Sequence, residues 1–204
     1  MRAPSLDMTP MRQRFARWLL ARLGWRMEGA KPADPRYVLI AAPHTSNWDF
    51  PLMLLFAAAY DIKVTWMAKH SLFWPPLGWF MRLMGGMPIT RHSSRGVVGD
   101  MVEAFSQRSE LVLVVPTEGT RDRAEFWKSG FYHIARQAGV PIVPSFLDFG
   151  EMRGGFGAPV KVTGNPVTDM DQFRTFYAGM QGLHPELFGP IRLAEESAQD
   201  GEQG

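Results

Sequence analysis

The segment APHTSNWDF, residues 42–50, places His44 and Asp49 five positions apart, directly after an apolar run. An imidazole can take a proton near neutral pH, and a carboxylate bonded to it fixes its tautomer and stabilises the imidazolium. On one continuous helix the two side chains would point about 140° apart, so contact requires a bend. The flanking residues offer one. YVLIAAP (37–43) reads as a buried strand, Ser46 or Asn47 can cap the helix that follows, and Pro51 suits its first turn. The pair would then meet at a strand's C-terminal end, where open α/β sheets bind ligands. Spacing alone leaves a plainer reading open, in which His44 bonds a backbone group and Asp49 favours the helix dipole.

The elements that must position such a pair follow from the alternation of patterns. Strands are predicted at 37–43, 63–68, 111–116 and 141–149, with a short MPIT segment and a possible edge strand at 160–164. Helices are predicted at 48–60, within the aromatic stretch 70–85, at 96–108 and around 130–138. This order predicts an α/β fold with a mixed, largely parallel central sheet flanked by helices, preceded by an N-terminal amphipathic helix. The expected organisation is a basic amphipathic helix at 1–28, one domain at 29–193 and an acidic disordered tail at 194–204.

Composition removes several function classes. With no cysteine there is no disulfide framework, thiolate nucleophile or Cys-ligated metal. His70, His92, His133 and His184 have no metal-ligand spacing, so no metal is expected. Net charge is +2, and without the four carboxylates of the tail 22 basic residues face 16 acidic ones, a balance of +6 that suits an anionic surface or substrate. No nucleic-acid-binding motif accompanies it. No apolar run reaches the length of a membrane span, and arginines interrupt the N-terminus too often for a secretory signal. Residues 11–25 read instead as a surface-lying helix, with Met11, Phe15, Trp18 and Leu19 on one face and Arg14 and Arg17 on the other. Docking of that helix on its own domain is an equal alternative. Phe73, Trp74, Trp79 and Phe80 form a second aromatic cluster suited to a membrane interface.

Two further polar clusters end apolar runs. GGMPITR (85–91) delivers Arg91, and PTEGTRDR (116–123) delivers Glu118, Gly119, Thr120 and Arg121. A glycine loop brings backbone N–H groups near a ligand and an arginine fork grips phosphate, so together they read as an anion site. Taken in order, HTSNWD, GGMPITR, EGTR and IVPSF resemble the four blocks of the glycerolipid acyltransferase family over roughly residues 38–145. Pro88 stands where the second block usually has Phe, and Thr117 where the third usually has Pro. The resemblance implies acyl transfer from acyl-CoA or acyl-carrier protein to the hydroxyl of a lysophospholipid such as lysophosphatidate, with no cofactor. His44 and Asp49 would be catalytic, and Arg91, Glu118, Gly119, Thr120 and Arg121 would bind substrate. It further implies peripheral attachment to anionic lipid at the cytoplasmic face of the membrane. With no G-x-S-x-G elbow present, direct transfer is more economical than an acyl-enzyme. Other acceptors (lyso-ornithine lipid, glycerol 3-phosphate, a glycolipid), a non-catalytic lipid-binding module and a serine hydrolase remain as alternatives.

Overall fold

The computed structural model describes residues 10–89 and 96–196. Its centre is a seven-stranded sheet. The strands are β1 (Arg26–Glu28), β2 (Arg36–Ala41), β3 (Val64–Lys69), β4 (Gly86–Ile89), β5 (Leu111–Pro116), β6 (Ile142–Asp148) and β7 (Arg153–Phe156), in the order β1-β7-β6-β2-β5-β3-β4. Strands β6, β2, β5, β3 and β4 are mutually parallel, and β7 with β1 runs the other way along one edge. The sheet is therefore mixed and largely parallel, as predicted.

Because side chains alternate along a strand, β2 sends Val38 and Ile40 to one core and Tyr37 and Leu39 to the other. The first core is closed by α4 (Gly96–Gln107), α5 (Gly130–Ala138) and α6 (Pro166–Tyr177). The second is closed by α1 (Met11–Arg22) and α2 (Asp49–Ala59). A short helix, α3 (Leu77–Leu83), precedes β4 within the aromatic stretch.

One local expectation is corrected, and two elements lie where none was predicted. Residues 160–164 form no strand: Val160 makes one bridge to Ile142, after which the N–H groups of Thr163 and Gly164 turn to the buried Asp169 carboxylate. The reversed edge strand is instead β7, whose Gly154 and Gly155 had no strand-like pattern. A Cβ at Gly155 would lie 1.8 Å from the Glu28 carbonyl oxygen, so glycine is what lets β1 pair there. Helix α6 was also missed, although Asn165 caps it by accepting from Val167 and Thr168, and Pro166 opens it.

Helix α1 docks through Ala16 and Leu20, both 1% exposed. Gln13 and Arg17 donate to the Ala59 carbonyl at the C-terminal end of α2, each at 3.0 Å, and Arg12 pairs with Asp61. Arg17 thus belongs to the docking side. Met11, Phe15 and Trp18 face solvent, with the Phe15 and Trp18 rings 5.8 Å apart. The docking alternative is the one the structure shows: the helix packs on its domain through a narrow Ala16–Leu20 seam and leaves its aromatic face exposed.

Candidate active site

At the C-terminal end of β2 the chain turns through residues 42–48 before entering α2. That turn is the bend His44 and Asp49 require. His44 Nδ1 lies 3.0 Å from Asp49 Oδ2, and the same oxygen accepts the Ser46 N–H at 3.0 Å. A carboxylate offers only acceptors, so Nδ1 carries the proton and Nε2 is left as an acceptor. Neither Ser46 nor Asn47 caps the helix. Trp48 occupies the cap position, and the third helical residue, Pro51, has no N–H to offer a capping side chain. Ser46 Oγ instead accepts the Trp48 N–H at 3.1 Å, which tightens the turn.

Beneath the pair lies a cavity of about 370 Å³ between α2 and the sheet. Along α2 its wall is Asp49, Phe50, Met53, Phe56 and Ala57, one face of the helix. Along the sheet it passes from Ala41 and Pro116 down to Leu39 and Val114 and ends near Val64, as the strand register dictates. Its polar side chains are His44 and Asp49 at the top, Trp66, whose N–H goes to the Met84 carbonyl, and Ser145, whose hydroxyl donates to the Ile40 carbonyl. The interior is therefore suited to a hydrocarbon chain.

The EGTR segment leaves β5 beside His44. Gly119 has φ +68°, the left-handed region that glycine adopts without strain, and it lines the cavity. Thr120 and Arg121 are exposed; Thr120 Oγ1 accepts the Asp122 N–H, and among the described residues no carboxylate pairs with Arg121. Arg91 lies outside the described residues.

Glu118 does not join this exposed group. It is 0% exposed, so its side chain reaches no substrate, and neither carboxyl oxygen has a well-formed hydrogen bond. Burial raises its pKa to about 7, opposed by the backbone amides of His44 and Gly189 and reinforced by the charge of Asp49. Below the ordinary value of 4.5 the carboxyl is neutral in both the folded and unfolded chain. As pH rises the unfolded chain ionises first, so stability falls until pH passes the folded value near 7, by about 3 kcal/mol. Glu118→Gln keeps the shape and removes the titration. Denaturant melts at pH 4.5 and pH 8 should show this variant losing less stability than wild type over that interval; equal losses would absolve Glu118.

Sequence reasoning overlooked two features. The stem of Lys128 lies across Gly119, with Cγ 3.0 Å from where a Cβ would stand, and so adds an exposed cation to the EGTR loop. The apolar face of α2 was legible as helix but not as a cavity wall, because a cavity is a property of two facing surfaces.

The family model described as Acyltransferase matches residues 25–148. Among curated proteins, the lyso-ornithine lipid O-acyltransferase of Pseudomonas aeruginosa is 30% identical over 159 residues, 72% of this chain and 58% of that protein. The 1-acyl-sn-glycerol-3-phosphate acyltransferase of Escherichia coli is 30% identical over 131 residues, 59% of this chain and 52% of that protein. The chain thus spans little more than half the length of these relatives. The crystal structure of the 1-acyl-sn-glycerophosphate acyltransferase from Thermotoga maritima shares the fold, with a TM-score of 0.57 at 18% identity, over 80% of this chain and 73% of that one.

Proposed function

The chain belongs to the glycerolipid acyltransferase family, and on that premise we propose that it transfers a fatty acyl group from acyl-CoA or acyl-carrier protein to the hydroxyl of a lysophospholipid such as lysophosphatidate. The observation that carries this reading is the His44–Asp49 pair above an apolar cavity. The acyl chain of the thioester lies in the cavity, which brings its carbonyl up to His44. Nε2 takes the acceptor's hydroxyl proton as the oxygen attacks. The C–S bond of the tetrahedral intermediate then breaks, and the imidazolium returns the proton to the leaving thiolate. Asp49 stabilises the imidazolium between those steps, and the N-terminus of α2 favours the developing oxyanion. Gly119, Thr120 and Arg121 form the rim that receives the acceptor's phosphate, with Lys128 beside them, and Arg91 is proposed from its motif to bind the same group. Glu118 supports this rim from below.

A second reading concerns the acceptor. The relative that aligns with 72% of this chain is named for a lyso-ornithine lipid, which carries no phosphate. One experiment separates the two: purified protein with defined acyl donors, assayed on lysophosphatidate, on an uncharged monoacylglycerol and on lyso-ornithine lipid, with Arg121→Ala beside wild type. A phosphate clamp predicts a rise in KM of about tenfold or more on lysophosphatidate alone. Equal proportional losses on all three acceptors would remove Arg121 from the acceptor site. Preference of the wild type for lyso-ornithine lipid would select the second reading.

The reaction is proposed to occur on the cytoplasmic face of a membrane to which the protein attaches peripherally. No helix among the described residues is long and apolar enough to cross one. The support is the exposed aromatic face of α1 together with Trp74, Trp79, Phe80 and Leu83 around α3. Trp18→Ala with Trp79→Ala should weaken sedimentation with anionic vesicles severalfold, and high salt should weaken that of the wild type. Unchanged sedimentation in both arms would leave these faces unexplained.

A further inference from the structure

The segment from Gln181 to Gly189 lies beyond the motifs and beyond the family-matched region, yet it is tied to both the His44 loop and the EGTR loop. Gln181 donates to Asp148 Oδ1 at 3.2 Å and accepts the Phe149 N–H at 2.8 Å, fixing the segment at the end of β6. Three residues later it meets the catalytic loop: the His184 N–H donates to Thr45 Oγ1 at 3.2 Å. Thr45 is 2% exposed and adjoins His44 in the chain. Gly182 is packed against the same threonine, where a Cβ would stand 2.4 Å from Oγ1 and 3.2 Å from the Pro43 Cβ. The segment then reaches the binding loop, where Arg123 Nη1 donates to the carbonyls of Glu186 and Phe188 at 3.2 and 2.9 Å. Gly189 closes on the Ala124 carbonyl, 2.1 Å from where its Cβ would be.

We propose that residues 181–189 are a clamp that holds the catalytic loop in register with the EGTR loop, and that Thr45 is its positioning residue. Asp49 orients the imidazole ring but not the backbone from which the ring hangs. That backbone lies in an irregular turn whose internal bonds engage Ser46, Trp48 and Asp49, leaving residues 43–45 to outside contacts. The Thr45 hydroxyl supplies one, and Glu118, between the amides of His44 and Gly189, lies at the second point where clamp and loop approach. A displacement of the base by an ångström costs on the order of a hundredfold in rate without removing any binding contact.

The test uses Thr45→Val, which keeps the shape and loses the acceptor, and Thr45→Ser, which keeps the acceptor. The kinetic arm rests on the proposed acyl transfer; hydrogen exchange over residues 43–49 does not. For Thr45→Val we expect kcat lowered about 10- to 100-fold, KM for donor and acceptor within about twofold, and faster exchange at 43–49. Thr45→Ser should stay within about threefold of wild type in kcat. A folded Thr45→Val with wild-type kcat and wild-type exchange overturns the clamp. Should that variant fail to fold, the surface change Arg123→Gln releases the Glu186 and Phe188 carbonyls, and unchanged exchange at 43–49 in that variant overturns it equally. Should the wild type transfer no acyl group, the activity reading fails, and the exchange arms still decide the clamp.

Discussion

His44→Ala is expected to lower kcat for acyl transfer on the order of 10²- to 10⁴-fold, while the protein melts close to the wild-type temperature. The imidazole is partly exposed at the top of the cavity and makes a single side-chain bond, to Asp49, so its loss removes the base without opening the core. Donor and acceptor KM should change little, because the base acts on a proton that moves only in the transition state. Asp49→Asn distinguishes the two contributions of the carboxylate. Asp49 Oδ2 takes both the His44 Nδ1 proton and the Ser46 N–H. An amide oxygen in that place can accept both, which preserves the tautomer and removes only the charge that stabilises the imidazolium. The expected fall in kcat is therefore smaller, about 10- to 100-fold, and steady-state kinetics on the two variants should rank them in that order. Turnover by His44→Ala at near wild-type rate would remove the general-base mechanism.

Ala57→Phe should make the enzyme discriminate sharply by chain length. Ala57 lies eight residues along α2 from Asp49, about 12 Å at the helical rise, and both line the cavity on the same helix face. A phenyl ring there fills the end remote from the imidazole. If it excludes about four methylenes, at about 0.8 kcal/mol each, long-chain donors lose about 3 kcal/mol, or roughly a hundredfold in kcat/KM. Short-chain donors that never reached the ring keep their rate. The comparison is kcat/KM against donor chain length for the two proteins. Parallel curves would mean that the acyl chain lies elsewhere, on the protein surface or in the bilayer, and that the cavity serves another ligand.

The sequence by itself determined the elements whose patterns are local. LVLVVP and GFYHIARQA carry enough apolar periodicity that β5 and α5 fall where the residues predict. The four ordered motifs pointed to the family, because four short matches in the right order along one chain are specific even where each alone is not. They also marked His44 and Asp49 as partners, since a strand followed by a turn and a helix leaves few other ways for residues five apart to meet. Tertiary structure decided what depends on two surfaces at once. Gly154 and Gly155 read as loop until the neighbouring backbone of β1 and the ring of Phe56 show why no side chain fits there. Glu118 and Arg121 share one four-residue motif, yet one is buried and the other faces solvent, with a left-handed glycine at 119 turning the chain between them. The aromatic stripe of α1 pointed to a membrane or to the domain with equal force, and only the folded chain shows that Ala16 and Leu20, which lie off that stripe, are the residues that pack on the domain. Thr45 and Gly182 are 137 positions apart and carry no periodicity; only the folded chain brings a hydroxyl and a missing side chain into one contact beside the proposed base.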